Sequence, residues 1–278
     1  MSPHNQDSQY ALGNTDAEDE RLAWQAARFD PLTERFFRQT GVVAGQRVLE
    51  LGSGAGHVAM LTARIVGPTG EVIGVERDAG SIARARIRVA EAGLRNVTFT
   101  QSDVNEIPRG DPFDAAVGRF ILMFLPDPVF VVRSLATLVR PGGVIAFHEV
   151  SWASFLKRCA HLPLCSATAA LIHEAFQRTG ANTEMGPAMI PAFQAAGLPA
   201  PTMTTEMLLG NAADLTKWQV DIIQVMRPQF QQLGLSLAPL GNIATFPERL
   251  LSEISASDGV IGGPDLVGGW SKRADSPD

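Results

Sequence analysis

An α/β protein, with a Rossmann-like, doubly wound, mostly parallel seven-stranded sheet and helical lid insertions, is the fold class that three features of the sequence predict. Apolar segments of strand length alternate with helical patterns from residue 47 to residue 150, the pattern of a parallel sheet covered on both faces. The first of these strands runs straight into glycines at alternate positions, Gly52, Gly54 and Gly56. Glu76 then closes the second strand, about twenty positions further on, where a carboxylate can accept ribose hydroxyls.

Taken in order, residues 1–16 are polar and hold Tyr10, the only tyrosine. Thr15 and Asp16 are good capping residues for a helix through Leu22, Gln25, Ala26 and Phe29. Asp30-Pro31 predicts its end, because proline lacks the N–H that a helix interior needs, and a second helix follows to Gly41. The alternation then reads strand 47–51, helix 57–66, strand 71–75, helix 80–92, strand 97–101, strand 113–118, helix 128–139 and strand 144–150. Glycines without Cβ atoms let the backbone take positive φ and approach a ligand closely, and the N–H groups that open helix 57–66 face the same crevice. At the end of the third strand Asp103 offers a carboxylate to an adenine amino group or caps a helix, with Val104 as an apolar wall. Arg119 ends the fourth strand beside the crevice, placed either for a ligand carboxylate or for an ordinary ion pair.

Past residue 150 the pattern changes. Leu171, Ile172, Ala175 and Phe176 form one apolar helical face, and Leu215, Trp218, Ile222, Val225 and Met226 form another. Residues 151–185 and 211–256 therefore read as helical lid segments, 189–197 as a sheet-packing helix, 201–209 as an edge strand and 267–272 as the last strand. The Gln-rich and Gly-rich stretches 229–241 and 258–269 read as connections. The chain divides into an N-terminal helical segment over the cleft (1–45), a Rossmann-like core (46–150) and a part that completes the sheet and forms a pocket (151–278).

Residues 48–56, Glu76, Ser102 with Asp103, residues 113–123, and Arg140, Pro141, Gly142 and Gly143 resemble, in order, the successive motifs of class I S-adenosylmethionine-dependent methyltransferases. The resemblance is strongest to the small-molecule branch related to the ubiquinone and menaquinone C-methyltransferases. It covers roughly residues 20–150 and fades afterwards. It implies S-adenosyl-L-methionine as cofactor, held by Tyr10, Gln25, Glu50, Gly52, Ser53, Gly54, Glu76, Arg77, Asp103, Val104 and Arg119. A small-molecule acceptor with an O, N or C nucleophile would sit against Trp152, Phe155, Phe176, Trp218 and Met226. A general base, if one is used, is expected at the end of the fifth strand in His148 or Glu149; adjacent strand residues point to opposite faces, so at most one faces the acceptor. Two alternatives remain: a cofactor-binding protein of this fold with lost or altered chemistry, and a nicotinamide-dependent oxidoreductase. His57 stands where the latter would place its third glycine, which counts against it.

Composition narrows the partners. A net charge of −6 and a pI near 5.4 argue against a broad phosphate-binding face, so nucleic acid is not an expected substrate. Cys159 and Cys165 lack a second pair, which predicts buried free thiols rather than a metal site or disulfide framework. The apolar runs fall short of the ~18–20 residues of a membrane span, and the polar start lacks a secretory segment, so a cytoplasmic protein is expected. The oligomeric state is left open, a homodimer being compatible.

Overall fold

The computed structural model describes residues 16–104, 106–107, 110–257 and 262–274. It opens on one continuous helix, α1 (Asp16–Thr40), which passes through Pro31. The break expected at Asp30-Pro31 does not occur. Proline costs the helix a main-chain hydrogen bond, but the residues around it are pinned to the sheet. Phe29 meets Phe120 edge-on at 5.5 Å, Asp30 pairs with Arg119 at 3.0 Å, and Phe36 stacks on His148 at 4.6 Å. These contacts outweigh the local preference, and the sequence pattern of one helix face could not reveal them.

The expected alternation follows: β1 (Arg47–Leu51), α2 (His57–Val66), β2 (Glu71–Glu76), α3 (Ala79–Glu91), β3 (Val97–Gln101), β4 (Phe113–Arg119), α4 (Pro128–Leu138) and β5 (Val139–Ser151). A short 3-10 turn, Leu122–Phe124, sits between β4 and α4. The second half adds α5 (Ala153–Cys159), α6 (Pro163–Arg178), α7 (Met185–Ala195), β6 (Thr202–Leu209), α8 (Ala212–Val225), α9 (Arg227–Gln232), α10 (Phe246–Ser255) and β7 (Gly262–Lys272). Two stretches expected as connections carry structure. Residues 229–241 hold the end of α9 and a 3-10 turn, and β7 starts at Gly262, inside 258–269. The glycines of β7 hide its strand pattern, yet the packing requires them: a Cβ at Gly268 would run into the Phe36 ring of α1 and into Thr204 of β6.

The strand order is β3-β2-β1-β4-β5-β7-β6, with β7 antiparallel to both neighbours and β1 to β5 parallel throughout. Side chains alternate between two cores. Ala146 of β5 packs with Phe37, Val58 and Ile82 on the α1–α3 face, whereas Ile145 and Phe147 pack with Leu135, Ile172 and Phe193 on the other. Strand order reverses between β1 and β4, so their carboxyl ends part and leave a crevice.

Candidate active site

The glycine turn after β1 is held by β2. Gly52 and Ser53 donate their N–H groups to the Val75 carbonyl at 2.9 and 3.0 Å. The Glu76 carboxylate accepts from Gly54 N (2.8 Å) on one oxygen and from Arg77 N (2.9 Å) and Asp78 N (3.0 Å) on the other. A carboxylate has about four lone-pair sites, and three are taken. The same carboxylate lines the cavity with its remaining acceptor capacity. Two glycines serve different ends. At Gly52 (φ 68°) a Cβ would lie 2.5 Å from Ile121, so that position is for packing; at Gly54 (φ 48°) a Cβ would meet nothing within 4 Å, so that position opens onto the cavity.

Buried charge surrounds the turn. Glu50 is 1% exposed and its Oε2 has no hydrogen-bond partner; burial first, then the nearby Glu76, pushes its carboxyl well above the ordinary range, against Arg119. The Arg119 guanidinium bonds Asp30 and Thr33, each at 3.0 Å, and so ties α1 to the tip of β4. Of the two roles open to Arg119, the ion pair is formed, and the side chain still lines the cavity. His57 opens α2 with its imidazole pushed down to about 4, by burial and then by Arg88 and Arg119, and its Nε2 has no partner. Asp19 reaches from α1 to Arg84 and Arg88 of α3, and Arg88 donates to the Ala55 carbonyl. Further along the roof, Arg21 grips both Glu18 oxygens (2.6 and 2.7 Å) and donates to Gln25 Oε1 at 2.7 Å.

One cavity of about 1030 Å³ runs from this turn to an aromatic wall. Gln25, Glu50, Gly52, Ser53, Gly54, Glu76, Arg77, Asp103, Val104 and Arg119 all line it; Tyr10 lies outside the described residues. The far wall is built by Trp152, Phe176 and Trp218, in ring contact at 5.7–5.9 Å around Trp152. Phe155 and Met226, expected beside them, stand behind the wall instead. Phe155 is fully buried against Trp152 and Trp218, and Met226 is fully buried in the core. Helical periodicity marks a buried face but does not separate a ring that faces a cavity from one that supports it.

His148 and Glu149 do point to opposite faces, and neither lines the cavity. His148 is sealed under α1, with Nδ1 3.2 Å from Thr33 Oγ1 and its ring on Phe36; burial, then Arg119 and Arg35, holds its pKa well below the usual range. Glu149 turns to the opposite side, beneath the 3-10 turn, where Oε1 accepts from Ile121 N (2.9 Å) and Leu122 N (2.8 Å). Sequence reasoning missed His57, Asp19, Phe29, Phe120 and Phe124 as cavity residues. Phe29 carried a signal, lying one helical turn after Gln25 on α1; Phe120 and Phe124, in an irregular turn, carried none.

A switch-point crevice, a glycine turn clamped from the end of the second strand, and an antiparallel last strand slotted between β5 and β6 define the class I fold of S-adenosylmethionine-dependent methyltransferases. Residues 43–189, more than half of the 278, match the family described as a methyltransferase domain, and the chain belongs to it. That membership sets aside the oxidoreductase. Aklanonic acid methyltransferase DauC of a Streptomyces species is 35% identical over 51% of this chain and 67% of its own length. A ubiquinone biosynthesis O-methyltransferase of Albidiferax ferrireducens is 32% identical over 45% of this chain and 49% of its own. The ubiquinone/menaquinone C-methyltransferase UbiE of Pseudomonas aeruginosa is 32% identical over 40% of this chain and 44% of its own. The chain thus matches less than half the length of the two quinone enzymes. Among solved structures, a Haemonchus contortus phosphoethanolamine N-methyltransferase superposes with a TM-score of 0.53 at 15% identity, covering 95% of this chain and 56% of its own. The cyclase SpnF superposes with a TM-score of 0.55 at 18% identity, covering 88% and 81%. Both show the shared fold.

Proposed function

We propose that the protein transfers the methyl group of S-adenosylmethionine to a small, largely apolar acceptor seated against Trp152, Phe176 and Trp218. The observation that carries this reading is the continuity of one cavity from the glycine turn to the aromatic wall. The residues at the polar end fit the cofactor: Gly54 leaves open space, Glu50 offers a buried oxygen without a partner, and Glu76, Arg77, Asp103 and Val104 line the adenosine side. When bound, the cofactor supplies a methyl group on a sulfonium, so the protein's task is alignment and exclusion of water rather than covalent catalysis. In this reading α1 roofs the cleft as the inner part of the N-terminal segment 1–45, residues 46–150 hold the cofactor, and segments 151–185 and 211–256 form the acceptor pocket. DauC and the ubiquinone enzymes, by their names, act on small molecules, which supports the acceptor class.

The chemistry asks no base of His148 or Glu149, since both lie behind the cavity wall. An acceptor that is already nucleophilic fits that arrangement. The cytoplasm is the proposed compartment, on the ground that Cys159 and Cys165 are both free and buried. The deciding experiment offers metabolite extracts to the protein with methyl-labelled cofactor and identifies labelled products by mass spectrometry. Tight binding of S-adenosylhomocysteine with no labelled product from any extract would instead favour a binder with altered chemistry, the second reading that SpnF, a cyclase of the same fold, keeps in view.

A further inference from the structure

The segment between β4 and α4 touches three parts of the site: the α1 roof, the glycine turn and the aromatic wall. Phe120, at its start, is the only described non-glycine residue with positive φ (53°), a conformation disfavoured for a bulky side chain. Its ring meets Phe29 of the α1 roof, and its N–H donates to the His148 carbonyl at 2.9 Å. Ile121 fills the space that Gly52 leaves at the glycine turn. Phe124 carries the contact to the aromatic wall, 6.1 Å from the Phe176 ring centroid. A turn strained in this way keeps its shape only if something over-determines it. The 3-10 turn has no capping side chain at its own N-terminus, and the partner of its first N–H groups is Glu149, fully buried and bonded to Ile121 N and Leu122 N.

We propose that Glu149 is a positioning residue: its ionised carboxylate fixes the 120–124 turn, and through it the distance between the glycine turn and the acceptor wall. The inference rests on the proposed function for what the turn positions, but not for the lock itself. Burial pushes the Glu149 carboxyl up to about 7, opposed by the N–H groups of Leu122, Ile121 and Met123, so the lock titrates in the neutral range. No charged side chain enters that balance. His148 and Arg119 face α1 through Thr33, and the strand partner of Glu149 on β7 is Val267. Glu184, at the start of α7, is engaged by Ser151, Trp152 N and Ala153 N, and His173 of α6 bonds Thr183. Below the midpoint the neutral acid is the weaker acceptor, and the turn loosens locally with the carboxyl still buried, unlike global unfolding, which exposes it.

The test is hydrogen–deuterium exchange of the full chain without ligand, corrected for the intrinsic pH dependence and read on peptides spanning 119–125. Wild type is expected to protect these amides about tenfold better at pH 8 than at pH 6. In Glu149→Gln the amide oxygen still accepts both N–H groups but does not titrate, so protection is equal at the two pH values. Once an acceptor is known, its KM should rise on the acid side in wild type and stay level in Glu149→Gln. Equal protection at both pH values in wild type, or a pH step that survives in Glu149→Gln, overturns the assignment. Because exchange is read without turnover, a protein that transfers no methyl group can still pass or fail it.

Discussion

Two helices in the first half of the chain, α3 and α4, start on caps supplied by their own sequence, whereas α5 and α6, behind the acceptor wall, start on carboxylates supplied from far away. Asp78 caps α3 through Ser81 N at 2.6 Å, and Asp127 caps α4 through Phe130 N at 2.8 Å. By contrast, α5 begins on Glu184, which accepts from Trp152 N and Ala153 N at 2.7 Å. Likewise α6 begins on Glu253, which accepts from Leu164 N and Cys165 N at 2.9 and 2.8 Å. Neither helix has a local side-chain cap; α8, capped by Asn211, keeps the local rule. Both devices satisfy the same orphan N–H groups. They differ in what the start of each helix depends on: neighbours in sequence for α3 and α4, completed tertiary structure for α5 and α6.

The sharpest way to break this comparison is at Glu76, where one carboxylate holds three amides of the cofactor end. Glu76→Ala is expected to weaken S-adenosylhomocysteine binding by about 30- to 1000-fold, from the loss of roughly 2–4 kcal/mol of charge-assisted hydrogen bonding. Calorimetry reads it, and an unchanged Kd in a folded variant would show that the turn stands without its clamp. At the opposite end, Phe176→Ala should raise the acceptor KM about tenfold or more while leaving cofactor Kd within about twofold. Equal movement of both constants would merge the two ends into one site.

A third test concerns stability. The Glu149 pKa of about 7 lies above the ordinary carboxylate value of 4.5, so between these values the folded chain holds a proton that the unfolded chain has released. Stability from this group is therefore full below pH 4.5 and lost as pH rises to 7, by about 3 kcal/mol. Glu149→Gln should flatten that part of the pH dependence in denaturant titrations, and curves of equal slope would assign the loss elsewhere, Glu50 being the next candidate. The smallest effect on chemistry is expected at His148. Sealed behind Thr33 and Phe36, its replacement by Ala should change kcat by less than about threefold, and its cost should appear in stability, at about 1–3 kcal/mol. A fall in kcat of about 10²–10⁴ with loss of the acid limb would restore it as the base.

The same contrast explains what the sequence disclosed. Strands β1 to β5 and the glycine turn were legible because they obey local rules, apolar alternation and glycine where φ is positive, and the acid at the tip of β2 was legible as one that lines the cavity. Trp152, Phe176 and Trp218 were legible as an aromatic set, but not the step that puts Phe155 and Met226 behind them. Glu184 and Glu253 gave no sign of capping, since each lies more than thirty residues from some or all of the amides it serves. Pro31 misled for the matching reason: the contacts that carry α1 past it come from β4 and β5.

The glycine-bearing strand β7 has a consequence for the order of assembly. It is the seventh strand in the chain, yet it lies between the fifth and the sixth, pairing with both. During synthesis β1 to β5 can register as they emerge, whereas β6 has no neighbour until residues 262–272 arrive. Leu266, which lines the cavity, arrives on that same strand. A nascent chain can therefore shape its glycine turn early, but the aromatic end stays unfinished until the last strand docks, and β6 is until then an unpaired edge open to wrong partners.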